Sequence, residues 1–139
     1  MTHADATAAL FERLAATPGL PPIAWANVED QEGVLAAWES DPANIALRVE
    51  IVTGRAEPQV IGLRSGTSRR RAALQLVIVT RVGVGEAPAL AIADAIAARF
   101  PYGLRVGRWT VRQPPAPRQG FQDEAEWRLP LAIEVEGYW

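Results

Sequence analysis

The 139-residue sequence contains no cysteine and no lysine, and its single histidine, His3, lies close to the first residue. Without cysteine, disulfide bonds and thiolate metal ligands are excluded. Without cysteine, lysine or a histidine inside the fold, most pairs of nucleophile and base cannot be assembled. Two carboxylates could still act as acid and base, but the acidic residues cluster in predicted loops. The sequence therefore argues against an enzyme and predicts neither a cofactor nor a metal site.

Long apolar runs are also absent. No window approaches the roughly 18 apolar residues of a membrane span, and residues 1–5 show no basic segment leading into an apolar run. Hydrophobic residues make up 49% and charged residues 22% of the chain, which is typical of a globular protein. We therefore predict one domain over residues 1–139. The net charge of −2 gives no overall attraction to nucleic acid or to an anionic membrane, and we expect no membrane partner.

Residues 72–113 organise the predicted fold. Residues 74–80 are an almost continuous apolar run, as in a strand covered on both faces, and we place this strand at the centre of a sheet. Gly83 and Gly85 end the run, and an alanine-rich helix follows with Pro88 in its first turn. Pro101 and Gly103 stop that helix. The segment therefore predicts a central strand, a turn and a helix that packs on the sheet.

The other predicted elements flank this segment. Residues 5–16 have the periodicity of a helix, and residues 45–52 alternate as a half-buried strand. Residues 59–79 are interpreted as a β-hairpin whose tip carries arginines, and residues 127–136 form the clearest alternating strand. The hydrophobic phase changes at Gly107, which indicates a bulge or a tight turn. These elements predict an α+β fold: a mixed, mostly antiparallel sheet with two helices on one face and a projecting β-hairpin.

Arg69, Arg70 and Arg71 are the one concentrated charge in the chain. They could be a solvated hairpin stem that discourages edge-to-edge strand pairing, or they could bind an acidic protein surface. Binding to nucleic-acid phosphates is the third interpretation. No aromatic residues are interleaved with these arginines to stack on bases, so the first two interpretations are favoured.

Two further features point beyond the core. Ala91, Ala95 and Ala98 lie on the arc of the second helix opposite its apolar face, where small side chains allow another element to approach closely. That element is either the first helix of the same subunit, which we favour, or a neighbouring subunit. Trp38 and the C-terminal pair Tyr138 and Trp139 have no obvious core role and are candidates for a protein interface, where aromatic residues are favoured.

Four segments resemble the small tail-terminator-like proteins of long-tailed bacteriophages and prophages. They are residues 14–27 (LAATPGLPPIAWAN), the arginines at 69–71, the helix at 89–100 and the closing strand at 127–133 (WRLPLAI). Together they span most of the chain, and the resemblance lies in their spacing. None of the four is a chemical motif, so this is a resemblance in scaffold.

The resemblance implies a structural role in the virion. Tail terminators of the lambda type have an α/β fold and form a hexameric ring on the head-proximal end of the tail tube. The ring stops polymerisation of the tube protein and provides the surface that joins the head connector, and DNA later passes through its lumen. The implied partners are therefore copies of the same chain in a homo-hexamer, the tail-tube protein and the head-connector or neck proteins. DNA would pass without sequence-specific binding, and assembly would take place in the bacterial cytoplasm.

A closed ring needs two different patches on each subunit. The candidate patches are the alanine face of the second helix, together with Asp94 and Arg99, and the hairpin around residues 64–71, whose arginines would contact an acidic surface of a neighbouring subunit or of the tube. Two other classes stay open. One is a different neck component, such as a head-completion or head–tail joining protein, and the other is a nucleic-acid-binding module that uses the arginine cluster.

Overall fold

The computed structural model describes residues 3–21, 23–25, 46–53, 57–58, 68–83, 85–123 and 126–139. Two helices and nine strands lie in this part of the chain. In chain order they are α1 (His3–Ala15), β1 (Ile23–Trp25), β2 (Ala46–Thr53), β3 (Glu57–Pro58), β4 (Ser68–Arg81), α2 (Ala87–Arg99), β5 (Arg105–Val106), β6 (Trp109–Val111), β7 (Ala116–Pro117), β8 (Phe121–Asp123) and β9 (Glu126–Tyr138).

The strands form one sheet with the order β1-β2-β4-β9-β6-β5. The short strand β3 pairs with β4, and the short strands β7 and β8 pair with β9. Strand β1 runs parallel to β2, whereas the other pairs are antiparallel. The predicted α+β class with a mixed, mostly antiparallel sheet is therefore confirmed. Strand β4 lies between β2 and β9, as the apolar run at residues 74–80 predicts.

Both helices pack on the same face of this sheet. Along β4 and β9, alternate side chains point into one hydrophobic core, since successive residues of a strand face opposite sides. The strand residues of that core are Ala72, Leu74, Leu76 and Ile78 of β4 and Leu129, Leu131, Ile133 and Val135 of β9. The helices bury their apolar sides against them through Ala6, Leu10 and Leu14 of α1 and Ala89, Ile92, Ala93 and Ile96 of α2.

The ends of α2 match the prediction from its flanking residues. Pro88 lies in the first turn, where a missing N–H costs least, and the N–H of Leu90 donates to the carbonyl of Glu86 at 3.0 Å. The helix ends before Phe100, whose N–H donates to the carbonyl of Ile96 at 3.2 Å. Gly103 follows with φ of 81°, a conformation that favours glycine.

The phase change at Gly107 is a tight turn. Gly107 has φ of 59° and lies between the paired residues Val106 and Trp109 of β5 and β6. The hairpin brings Trp109 to the end of β9, where it pairs with Gly137. Trp109 is completely buried there.

The projecting hairpin is not confirmed: β3 pairs with Ser68 and Arg69 at the start of β4, and residues 59–67 between the two strands lie outside the described residues. Arg69, Arg70 and Arg71 lie inside β4 and pair in register with the end of β9. The expected hairpin arm 59–63 lies outside the described residues. The strand continues through the arginines because β9 supplies backbone partners as far as Arg69. Their side chains alternate between the two faces of the sheet and leave the hydrogen-bond ladder intact.

The backbone of Arg108 and the ring of Trp139 lie so close to Gly137 that no side chain fits there. A Cβ atom at Gly137 would lie 2.7 Å from the carbonyl oxygen of Arg108 and would collide with the indole of Trp139. We expect Gly137→Ala to lower the free energy of unfolding by about 2 kcal/mol, measured by urea denaturation. The control is Gly103→Ala, where φ is +81° but no atom lies within 4 Å of the added carbon. That variant loses only about 1 kcal/mol through backbone conformation. Equal losses in the two variants would contradict the close approach at Gly137.

Candidate functional site

A buried carboxylate with three arginines around it lies on the sheet face opposite the helices. The side chain of Glu136 is only 6% exposed. Arg69 Nη2 donates to Glu136 Oε2 at 2.9 Å, and the Tyr138 hydroxyl donates to Glu136 Oε1 at 2.6 Å. Arg71 Nε and Arg112 Nε approach the same Oε2 at 3.5 Å and 3.8 Å. We call these five residues the arginine–glutamate cluster.

The register of the sheet assembles this cluster. Arg71 pairs directly with Glu136 between β4 and β9, and Arg69 pairs with Tyr138. On the other side of β9, Thr110 of β6 pairs with Glu136. Arg112 lies two residues beyond Thr110 and therefore faces the same side of the sheet. Five side chains from three separate parts of the sequence thus converge on one face, because strand alternation points all of them to the same side of the sheet.

The cluster holds Glu136 in its ionised form. The pKa of Glu136 falls from 4.5 to about 2, because Arg69 and then Tyr138 donate hydrogen bonds to the carboxylate; burial opposes this shift, and the charge of Arg112 adds to it. The same hydrogen bond raises the pKa of Tyr138, since its proton is held by the carboxylate. A carboxyl group with such a low pKa is not suited to donate a proton near neutral pH. The cluster is therefore suited to ion pairing and not to proton transfer.

A groove opens beside the cluster. Its volume is about 490 Å³, and its lining consists of Arg69, Arg71, Ala72, Ala73, Arg112, Gln113, Glu134, Val135 and Glu136. Arg69 is largely covered, at 28% exposed, whereas Arg71 and Arg112 are 58% and 52% exposed. Two guanidinium groups therefore border the groove and remain accessible to a partner.

Arg70 is separated from the other two arginines by the sheet. Its guanidinium lies 5.0 Å from the centre of the Trp139 ring, and its Nε donates to the Trp139 carbonyl at 3.4 Å. Trp139 in turn meets Trp109 edge-on, with ring centres 4.8 Å apart and planes at 80°. Trp139 is partly buried against the core, so the expectation that it has no core role is wrong. Its backbone also extends the ladder, since Trp139 and Ser68 exchange N–H to carbonyl bonds at 3.1 Å and 3.0 Å.

The candidate face of α2 is open. Ala91, Asp94 and Ala98 are exposed, and Ala95 and Arg99 are partly exposed. The favoured interpretation, that α1 covers this alanine face, is therefore wrong for Ala91 and Ala98.

Helix α1 instead meets the end of α2. Arg13 Nε donates to the carbonyl of Arg99 at 2.8 Å, and its guanidinium lies 5.8 Å from the centre of the Phe100 ring. Of the other candidates, Trp38 and residues 64–67 lie outside the described residues. The structure thus brings Arg69 and Arg71 together and leaves Arg70, Trp139 and the α2 face elsewhere.

Two members of the cluster were missed by sequence reasoning: Arg112 and Glu136. Arg69 and Glu136 are 67 positions apart, and no local pattern links them. The alternation of the last strand is the sequence feature that could have identified Glu136. It places Glu134 and Glu136 on the face opposite the apolar residues of that strand.

Among the described residues, no three histidine, aspartate or glutamate side chains converge as a metal site. Within the same part of the chain, no helix has the length and apolar character needed to cross a membrane.

The chain thus has an α+β fold with an ion-pair cluster on one sheet face, beside a groove that two exposed arginines border. A family model described as "Phage tail terminator protein" matches residues 4–134. This match covers nearly the entire chain, so the chain belongs to the phage tail terminator family, a structural and non-enzymatic family of the phage virion. The resemblance stated from the sequence is confirmed.

The chain is also similar to a solved structure with a TM-score of 0.65 and 23% sequence identity; the alignment covers 99% of this chain and 96% of the other. At that identity, the similarity supports the fold alone. No curated protein matches the sequence.

Proposed function

We propose that this protein forms a hexameric ring that caps the head-proximal end of the phage tail tube. The ring stops polymerisation of the tube and provides the joint to the head connector in the neck of the virion. The family match over residues 4–134 is the observation that carries this proposal. The protein acts as a structural component without catalytic activity and assembles in the bacterial cytoplasm.

The subunit has two different surface patches, as the contacts of a closed ring require. A ring closes through a heterologous contact, in which two different patches of each subunit meet. The groove beside Arg71 and Arg112 lies on the open sheet face, and the exposed face around Ala91 and Ala98 lies on the helical layer. Because the two patches belong to opposite layers, the sheet layer of each subunit would contact the helical layer of the next. All subunits would then have the same orientation around the ring.

Native mass with and without purified tail-tube protein tests the proposal. We expect either a hexamer in solution or a hexamer that forms only on the tube, and we expect added protein to halt tube elongation. A monomer or dimer that is indifferent to the tube would contradict the proposal. Binding to purified head connector without binding to the tube would instead assign the protein to another part of the neck.

DNA binding provides a separate check on the role of the arginines. In the proposed ring, DNA passes through the lumen without sequence-specific contacts. With a net charge of −2, we expect little affinity for duplex DNA at physiological salt and little change when Arg69, Arg70 and Arg71 are replaced by glutamine. A strong, salt-sensitive affinity that falls in this variant would favour a nucleic-acid-binding module.

A further inference from the structure

The arginine–glutamate cluster leaves two arginines with donors to spare. Glu136 is engaged by its two short hydrogen bonds, from Arg69 and Tyr138. Arg71 and Arg112 lie at 3.5 Å and 3.8 Å from the same oxygen, at or beyond the limit of a good hydrogen bond. Among the described residues, Glu136 is the ion-pair partner of both Arg71 and Arg112. A guanidinium carries five N–H donors, so both side chains can bind a further carboxylate at the groove.

Asp94 is an isolated carboxylate on the other layer of the subunit. It is exposed at the middle of α2, and the residues three and four positions away on the helix are Leu90, Ala91, Ala97 and Ala98. None of these is charged, so Asp94 forms no ion pair with its own helical neighbours. No ion pair is recorded for it among the described residues. The small side chains beside Asp94 let another surface approach the carboxylate closely.

We propose that Arg71 and Arg112 of one copy bind the Asp94 carboxylate of a second copy. This inference rests on the proposed ring, which supplies the second copy. The pair cannot form within one subunit, because α2 packs on the sheet face opposite the cluster. Between copies, the contact joins the sheet layer of one subunit to the helical layer of the next, and such a contact repeats around a ring. Two guanidiniums on one carboxylate give charge-assisted hydrogen bonds and fix the direction of assembly.

A carboxylate fits this groove better than a nucleic-acid backbone. Glu134 and Glu136 line the groove beside the three arginines. A phosphate backbone needs a row of cations along its path, and the two carboxylates interrupt any such row. One carboxylate needs only the two exposed arginines that border the groove.

Charge reversal with complementation tests the inference. The single variants Asp94→Arg and Arg71→Glu should each weaken association by about tenfold or more, measured by native mass over a dilution series, on the tube if the ring forms only there. An equimolar mixture of the two variants should recover the ring. In that mixture, each wild-type groove meets a wild-type Asp94, and each reversed groove meets a reversed helix. The control, Arg105→Glu, reverses an exposed arginine outside the cluster and should leave the ring unchanged.

The outcomes separate this inference from the proposed function. A wild-type ring that persists in both single variants overturns the pairing and leaves the proposed function standing. Loss of the ring in both variants without recovery in the mixture also overturns the pairing. Absence of a ring from the wild type, alone and on the tube, overturns the proposed function and this inference with it.

Crosslinking provides a second measurement that leaves all the charges in place. The chain has no cysteine, so introduced thiols have no background. With a short bismaleimide, Ala98→Cys combined with Gln113→Cys should give a ladder of linked subunits, because these positions lie beside Asp94 and Arg112. Ala98→Cys combined with Gln119→Cys, an exposed residue outside the groove, should give none. Equal ladders from the two pairs would overturn the pairing even if the charge variants fail to fold.

Discussion

Trp109→Ala is expected to lower the free energy of unfolding by about 4 kcal/mol, the largest loss among the substitutions considered. Trp109 is completely buried and heads the fully buried side chains by volume. Its ring meets the edge of Trp139 at 4.8 Å between ring centres. Alanine removes the transfer free energy of the indole and leaves a cavity in the hydrophobic core to which Trp109 belongs. Urea denaturation followed by far-ultraviolet circular dichroism measures the change.

Two control variants separate the causes of that loss. Trp109→Phe keeps an aromatic ring in the cavity and should lose about half as much stability. Tyr102→Ala removes an aromatic side chain that is 66% exposed, and its free energy of unfolding should stay within about 0.5 kcal/mol of the wild type. A Trp109→Ala variant as stable as the Tyr102→Ala variant would contradict the placement of Trp109 in the core.

Elements with a strong local period were predictable from the sequence. The apolar run at residues 74–80 identifies the central strand, since such runs are typical of strands inside a sheet. The expected cover on both faces is not found along the whole run, because Gln75 is exposed and Val77 is only partly buried. Pro88 and Gly103 mark the ends of α2 through backbone geometry alone. The alternation at residues 127–136 identifies β9 for the same kind of local reason.

Pro130 shows how context changes a local rule. A proline cannot donate to a sheet ladder, which predicts an edge strand or a bulge at this position. Strand β9 instead lies beside β4, with β6, β7 and β8 along its other side. The Pro130 carbonyl accepts from the Arg118 N–H at 2.9 Å, so its ring nitrogen faces that same side, at the break between β7 and β8. The missing donor is tolerated because no strand residue requires it there.

The composition of the candidate site could not be predicted, because it depends on the pairing register of strands that are far apart in the sequence. A run of three arginines indicates concentrated charge, but only strand pairing shows that Arg70 meets Trp139 while Arg69 and Arg71 meet Glu136. A shift of one residue between β4 and β9 would exchange the two faces. The position of Trp139 against Trp109 likewise depends on the pairing of β6 with β9.

Glu136→Gln is expected to lower the free energy of unfolding by about 2 kcal/mol near neutral pH. The amide keeps the shape of the carboxylate but loses its charge, so three guanidiniums lose their common anion. The lowering of the Glu136 pKa from 4.5 to about 2 corresponds to about 3 kcal/mol in favour of the ionised form in the folded chain. The expected loss is smaller than this figure because Arg71 and Arg112 are half exposed and water screens their charges.

The pH dependence of this loss identifies its cause. Because the pKa of Glu136 is lower in the folded than in the unfolded chain, the unfolded state takes up the proton first as the pH falls. The stabilisation is therefore complete above about pH 5, declines as the pH falls through 4.5 towards 2, and vanishes below about 2. Urea denaturation across this range should show the wild type converging on Glu136→Gln. Glu134→Gln, which neutralises an exposed neighbour on the same face, should follow the wild type throughout. A constant gap between the wild type and Glu136→Gln would mean that shape, and not charge, holds the cluster together.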